Sequence, residues 1–283
     1  MEILNGKEVS QNVKLAIKSQ VDKLKEKGIF PKLVTISVQR DGAFSIYIKN
    51  KKKACDEVGI ICENISLGFQ TSQEELIELI EKLNRKDDVH GILLQSPVPE
   101  HIDINKAFST ISPSKDVDGF NPVNIGKLML GQETFIPCTA KGIIRLLEYY
   151  NIEIEGKHAV IIGRSNIVGK PVMKCLLDKN ATVTICHSKT KDLSKYTKSA
   201  DILVVATGQE GLIKEDMVKK DSVVIDVGIN FTQEGKLVGD VDFENVSRKV
   251  SYITPVPGGV GPMTVAMLLE NVIIAVKNLE DPK

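Results

Sequence analysis

His158-Ala159-Val160-Ile161-Ile162-Gly163-Arg164-Ser165-Asn166-Ile167-Val168-Gly169-Lys170-Pro171 is the stretch whose reading decides the fold. The apolar, β-branched run reads as a buried strand over His158 to Ile162, and the glycine-bounded segment after it leads into a helix. A turn of this kind, strand before and helix after, stands where a Rossmann fold holds pyrophosphate. The match to G-x-G-x-x-G is imperfect: Ser165 takes the place of the second glycine, and Gly169 arrives late. Context, more than pattern, carries the reading.

Working outward, a helix near Thr139–Tyr150 precedes this unit, and strands near Thr182–Cys186, Ile202–Ala206 and Val223–Val227 follow it. That is the order of a doubly wound nucleotide-binding domain. A second α/β passage lies upstream. Val9, Val13, Ala16, Ile17, Val21 and Leu24 mark an amphipathic helix that stops at Gly28. Strands at Leu33–Val38, Ile60–Ile65 and Val89–Gln95 alternate with helices at about Phe44–Val58 and from Thr71 and Ser72 to Leu83. Glu74 and Glu75 give that last helix overlapping capping boxes. Alternation of this kind implies a mainly parallel sheet. The helix after Pro262 comes too late for the nucleotide sheet and is expected to return to the first domain. The expectation is therefore an α/β chain of two domains, one discontinuous over 1–138 plus 257–283, and a Rossmann-type domain over 139–256.

Composition narrows the class. The 283 residues suffice for two domains, and 37 basic residues balance 37 acidic ones, so no global field points to nucleic acid or an anionic membrane. Aromatics are 5% and Trp is absent, which disfavours single-strand stacking platforms. The first residues show no signal-peptide pattern, and the longest apolar helix is interrupted by Glu270 and Asn271. Cys55, Cys62, Cys138, Cys175 and Cys186 make no C-x-x-C pair, and the four histidines have no ligand spacing. A reduced, metal-free, cytoplasmic protein without membrane or nucleic-acid partners is expected.

Three features carry chemistry. The second nucleotide-domain strand ends in Cys186-His187-Ser188-Lys189-Thr190, without the acid that would bind an NAD ribose. Arg164, Ser188 and Lys189 instead suit a 2′-phosphate, favouring NADP, while Asp192 leaves NAD open. Thr254-Pro255-Val256-Pro257-Gly258-Gly259-Val260-Gly261-Pro262-Met263 joins rigid prolines to permissive glycines ahead of a helix, where a flat ligand or anion can dock. On the helix around residue 50, Lys51 falls on the arc of Phe44, Tyr47, Ile48, Ala54, Cys55 and Val58, with Ile46 out of place and Lys49, Lys52 and Lys53 opposite. A lysine drawn under an apolar face loses hydration, so its pKa falls and it becomes a base or nucleophile. A snorkelling lysine is the competing reading. Gln95 ends an apolar strand, and Asp116 and Asp118 share a turn.

Together these segments closely resemble the bifunctional methylenetetrahydrofolate dehydrogenase/methenyltetrahydrofolate cyclohydrolase family, the FolD type. The resemblance rests on Ser45-Ile46-Tyr47 with Lys51-Lys52-Lys53-Ala54-Cys55, Gly91-Ile92-Leu93-Leu94-Gln95, and Lys115-Asp116-Val117-Asp118-Gly119-Phe120. It continues through Pro137-Cys138-Thr139, Gly163-Arg164-Ser165, Ala181-Thr182-Val183-Thr184, Cys186-His187-Ser188-Lys189-Thr190, Val204-Val205-Ala206-Thr207-Gly208 and the proline–glycine decapeptide. Two departures, Ser96 for leucine and Ala140 for proline, touch no reacting group.

The resemblance implies two reactions in one cleft between the domains: NADP-dependent oxidation of 5,10-methylenetetrahydrofolate, then hydrolysis of the methenyl cation to 10-formyltetrahydrofolate. It implies Lys51 as base or water-polarising group, Gln95 as its partner, and Tyr47 stacked on folate. Asp118 would bind the pterin edge, and Pro257, Gly258, Gly259, Val260 and Gly261 would line the pocket. NADP would be held by Gly163, Arg164, Ser165, Ile167, Val168, Gly169, His187, Ser188, Thr207, Gly208, Ile229 and Thr264. A homodimer touching through its nucleotide domains is also implied. Two other readings stay open: a monofunctional NAD-dependent dehydrogenase, and a non-catalytic dinucleotide-binding module.

Overall fold

The computed structural model describes residues 1–39 and 45–280, with the side chains of 39 and 45–48 left undescribed. In chain order the elements begin β1 (Glu2–Ile3), α1 (Gly6–Glu26), β2 (Lys32–Gln39), α2 (Ser45–Val58), β3 (Ile61–Gly68), α3 (Gln73–Asn84) and β4 (Gly91–Leu94). Next come α4 (Ile104–Thr110), α5 (Pro122–Met129), α6 (Cys138–Tyr149), β5 (His158–Ile162), α7 (Gly169–Asp178) and β6 (Thr182–Cys186). The chain closes with α8 (Leu193–Thr197), β7 (Ile202–Val205), β8 (Val223–Asp226), β9 (Asn230–Phe231), β10 (Leu237–Val238), α9 (Phe243–Val246), β11 (Tyr252–Ile253) and α10 (Val260–Glu280).

Two compact units emerge, Met1–Gln11 with Pro137–Thr264, and Asn12–Ile136 with Val265–Lys283. This division differs from the expected one at both ends. The first residues go with the nucleotide domain because β1 pairs in parallel with β11, Glu2 beside Tyr252 and Ile3 beside Ile253. Two-residue strands have no periodicity to read, so that pairing was invisible in the sequence.

The six-stranded unit has the parallel order β1-β11-β8-β7-β5-β6. From β5 the chain first lays β6 on one side, then β7 on the other. The topological switch point therefore falls at the carboxyl ends of β5 and β7, where ligands of open α/β sheets bind. Val160, Ile162, Leu203, Val205, Val224 and Ile253 fill one buried cluster. β5, β7 and β8 are apolar on both faces, as a sheet covered by helices requires.

The three-stranded unit has the parallel order β3-β2-β4. Val34, Ile36, Ile92 and Leu94 of its sheet pack with Leu76, Ile80 and Leu83 of α3. Ser72 caps α3 with a capping box: its hydroxyl accepts from Glu75 N, and the Glu75 carboxylate accepts from Ser72 N. α10 has the length and hydropathy of a membrane-crossing helix, but 61% of its apolar window is buried inside the protein. Its Asn271, fully buried, donates to Val117 O and Ile136 O at 2.8 and 3.2 Å. α10 is a core helix whose one buried amide is satisfied.

Candidate functional site

The loops at the carboxyl ends of β5, β6, β7 and β8 gather most of the residues expected to hold a dinucleotide. Gly163 leaves β5 at φ +125°, its N–H donating to Cys186 O at 2.9 Å. A Cβ there would overlap Ala206 O, and one on Gly169 would overlap Gly163 O. Only glycines permit so close a crossing of backbone, which packs the end of β5 against the start of α7 and the end of β7. Ser165, the departure from the glycine pattern, does a glycine's neighbour's work differently: its hydroxyl accepts from Val168 N at 3.1 Å and Gly169 N at 3.4 Å. The start of α7 is thereby capped, with Arg164 and Ile167 exposed on the turn before it.

After β6 the turn closes on itself. His187 N donates to the Thr190 hydroxyl, Lys189 N donates to His187 Nδ1 at 3.1 Å, and Thr190 N donates to His187 O at 2.8 Å. This leaves Ser188 and Lys189 exposed beside the Gly163 turn, because β5 and β6 are adjacent strands. Exposed cationic and hydroxyl groups next to a glycine turn fit a phosphorylated dinucleotide. Asp192 is also exposed, with φ +50°.

Thr207 and Gly208 follow β7, and Ile229 follows β8. All belong to the same end of one sheet. Thr264 lies on α10, where its hydroxyl meets that of Thr139 at 3.2 Å. The proline–glycine segment is fixed by backbone: Gly259 N donates to Pro255 O at 2.9 Å, and Gly258 O accepts from Lys7 N at 3.0 Å. Gly258 sits at φ +112°, and a Cβ on Gly6 would collide with Gly259 O. Pro257 and Gly261 are exposed, while Gly259 and Val260 are buried.

In the three-stranded unit, Lys51 and Gln95 meet. Lys51 Nζ donates to Gln95 Oε1 at 2.6 Å. The Gln95 amide is oriented by its own second bond, Nε2 to Ser96 O at 2.9 Å, which turns Oε1 toward the lysine. Lys51 is half-buried on the face of Ala54, Cys55 and Val58, while Lys52 and Lys53 are exposed. The expected arc is therefore present over the described side chains; those of Phe44, Ile46, Tyr47 and Ile48 lie outside the described residues. Gln95 N donates to Ile36 O at 2.8 Å, so the glutamine extends β4 at its carboxyl end.

Asp118 reaches the same end by another route. A parallel bridge sets Asp116 beside Ile92, and Asp118 follows two residues further on, half-buried. The two carboxylates of this turn have separate fates. Asp116 is buried and accepts from the backbone N–H groups of Gly119, Phe120 and Asn121 and from Asn124 Nδ2. Burial pushes its pKa up, against the lowering by those four donors. Asp116 is thus the pin of the turn. Lys115, also buried, donates to the carbonyls of Leu83, Asn84 and Lys86 and so closes the end of α3.

Sequence reasoning missed the two buried carboxylates of the six-stranded unit, Asp226 and Asp240. Both stand in short polar–glycine stretches, Asp226-Val227-Gly228 and Gly239-Asp240, which read as ordinary turns.

The strand-end loops make the six-stranded unit a nucleotide-binding domain of the dinucleotide-dependent oxidoreductase type. Comparison with known proteins gives the family. The tetrahydrofolate dehydrogenase/cyclohydrolase catalytic domain matches residues 4–118, and the NAD(P)-binding domain of the same family matches residues 137–280. The chain is 55% identical over 279 residues to the bifunctional protein FolD of Oceanobacillus iheyensis, covering 99% of this chain and 98% of that one. It superposes on the crystal structure of the FolD dehydrogenase/cyclohydrolase of Campylobacter jejuni with a TM-score of 0.97 at 53% identity, covering 98% and 99% of the two chains. Against the Trypanosoma brucei enzyme, a structure complexed with NADP cofactor and inhibitor, the TM-score is 0.93 at 37% identity, covering 98% and 97%. The chain belongs to the tetrahydrofolate dehydrogenase/cyclohydrolase family. It is a bifunctional tetrahydrofolate dehydrogenase/cyclohydrolase with an NAD(P)-binding domain.

Proposed function

We propose that Lys51, held by Gln95, is the group that carries the hydration step, and that the hydride step rests on positioning alone. The observation behind this is the 2.6 Å bond between Lys51 Nζ and Gln95 Oε1. Hydration of a methenyl carbon needs a group that accepts or directs a water proton. A half-buried amine beside a cationic substrate has its ammonium form disfavoured by both burial and like charge. Gln95, an acceptor with no charge of its own, holds Nζ in place without stabilising the ammonium as a carboxylate would. Tyr47, one turn ahead of Lys51 on α2, is the residue we assign to stacking on the folate. Asp118 would take the pterin N–H edge, and Pro257 to Gly261 would line the folate pocket.

Hydride departure is driven by lone pairs on the folate nitrogens, so the protein's part is alignment of two flat rings. NADP⁺, when bound, supplies the hydride acceptor. We assign its phosphates to the Gly163–Gly169 turn, its 2′-phosphate to Arg164, Ser188 and Lys189, and the remaining contacts to Ile167, Val168, His187, Thr207, Gly208, Ile229 and Thr264. Arg164 and Lys189 are exposed cations at the carboxyl ends of the adjacent strands β5 and β6, which is what supports this choice over NAD. We further propose a cytoplasmic homodimer joined through the nucleotide domains; Phe231, 63% exposed on the β9–β10 hairpin, fits such a contact.

Two assays on the purified protein test the reading: reduced-nucleotide formation from 5,10-methylenetetrahydrofolate with NADP⁺ and NAD⁺ in parallel, and decay of 5,10-methenyltetrahydrofolate. Turnover in both, with higher kcat/KM for NADP⁺, is expected. Absent methenyl decay would overturn the hydration assignment, and a preference for NAD⁺ would overturn the 2′-phosphate assignment.

A further inference from the structure

Asp240 is fully buried, and its two oxygens accept from a ring of donors on two separate segments, Thr207 to Gln209 and Asn230. Oδ2 accepts from Thr207 N at 2.6 Å, the Thr207 hydroxyl at 2.9 Å and Gly208 N at 3.0 Å. Oδ1 accepts from Gln209 N and from Asn230 Nδ2, both at 2.9 Å. Three consecutive backbone amides, Thr207 to Gln209, thus close around one carboxylate. No neutral side chain accepts from so many donors at once. The loop cannot move without leaving the buried Asp240 carboxylate short of donors.

The carboxylate is itself held from behind. Asp240 N donates to Asp226 Oδ1 at 3.0 Å, Val241 N to Asp226 Oδ2 at 2.9 Å, and Gly228 N to Asp226 Oδ1 at 2.9 Å. Asp226 is anchored in turn, its N–H accepted by the Thr254 hydroxyl at 2.7 Å. Two glycines make room for the pair: a Cβ on Gly228 would fall on the Asp240 carboxyl group, and one on Gly239 on that of Asp226. The two acids therefore couple the ends of β7 and β8 to the segment between β10 and α9.

We propose that Asp240 is a positioning residue for the nicotinamide cofactor, fixing the Thr207-Gly208-Gln209 loop in the shape that receives it. The proposal rests on the assignment of Thr207 and Gly208 to the cofactor site. Asp240 is buried beneath the loop, so it acts through these amides and not by touching the cofactor.

The test is Asp240→Asn. Its amide nitrogen would face donors wherever it is turned, so at least part of the ring is lost while size is kept. Steady-state dehydrogenase kinetics should show the KM for NADP⁺ raised roughly ten- to hundredfold, as expected for loss of hydrogen bonds to a buried charge. The kcat at saturating NADP⁺ should change much less. A purely structural role would lower the amount of active enzyme, and hence kcat, while leaving KM where it was. An unchanged KM for NADP⁺ in folded Asp240→Asn enzyme would overturn the proposal. Where that variant does not fold, Gly228→Ala decides, since its methyl would displace the same carboxylate; an unchanged KM there overturns the proposal equally. A wild-type enzyme that reduced no NADP⁺ would fault the functional reading itself, and is told apart by that control.

Discussion

At the scale of single residues, the account separates groups that meet ligand from groups that hold them. Arg164 is exposed on the glycine turn, one strand away from Ser188 and Lys189. Arg164→Ala is expected to raise the KM for NADP⁺ roughly tenfold or more, with less effect on NAD⁺, because one charge-assisted phosphate bond is lost. Steady-state kinetics with both nucleotides checks this; equal effects would mean that Arg164 does not read the 2′-phosphate. Asp118→Ala is expected to weaken folate binding and depress both activities, since donors on the pterin would lose their acceptor. Folate titration of the folded variant measures it, and unchanged affinity would leave Asp118 as part of its turn only. Asp116, by contrast, is occupied entirely by that turn's own N–H groups and Asn124 in the bonds described. The sequence shows two acids two residues apart and cannot say which is pinned. That distinction depends on Asn124, eight residues on, folding back to Asp116.

Among elements, β5 and β6 occupy the ranges their apolar, β-branched runs imply, because a glycine turn or a polar cluster ends each of them. The pairings β1–β11 and β9–β10 were not legible, since two residues carry no period and, for β1, the partner is remote in sequence. The same remoteness hid the buried acids: Thr207 lies 33 residues from Asp240. Asp226 has a consequence for stability. Burial, with the Asp240 charge adding to it, pushes its carboxyl up to about 6, against the backbone N–H groups of Asp240, Gly228 and Val241. An acid whose folded value lies above its unfolded one favours folding at low pH. That contribution is full below about pH 4 and is lost as pH rises through about 6, on the order of 3 kcal/mol in all. Denaturant unfolding of wild type and Asp226→Asn across this window is the measurement. The stability of wild type relative to the variant should fall as pH rises from 4 to 7 by roughly that amount. A pH-independent difference would show that Asp226 titrates normally.

For the molecule as a whole, the claim is a division of labour between two units of one chain. The six-stranded unit is the NAD(P)-binding domain, its strand-end loops fixed by glycine crossings and a buried acid pair. The three-stranded unit supplies an amine bonded to a neutral acceptor at the end of β4. If so, removing the amine must part the two chemistries. Lys51→Met keeps the apolar stem and most of the bulk, and deletes only the group that accepts or directs a proton. Both activities, measured on one preparation whose fold is verified by circular dichroism, test this most directly. The account predicts that methenyl hydrolysis falls by about 10²–10⁴-fold while NADP⁺-dependent oxidation falls far less. Hydrolysis surviving at near the wild-type rate in the folded variant would contradict it, and would make Lys51 a snorkelling lysine that Gln95 merely tethers.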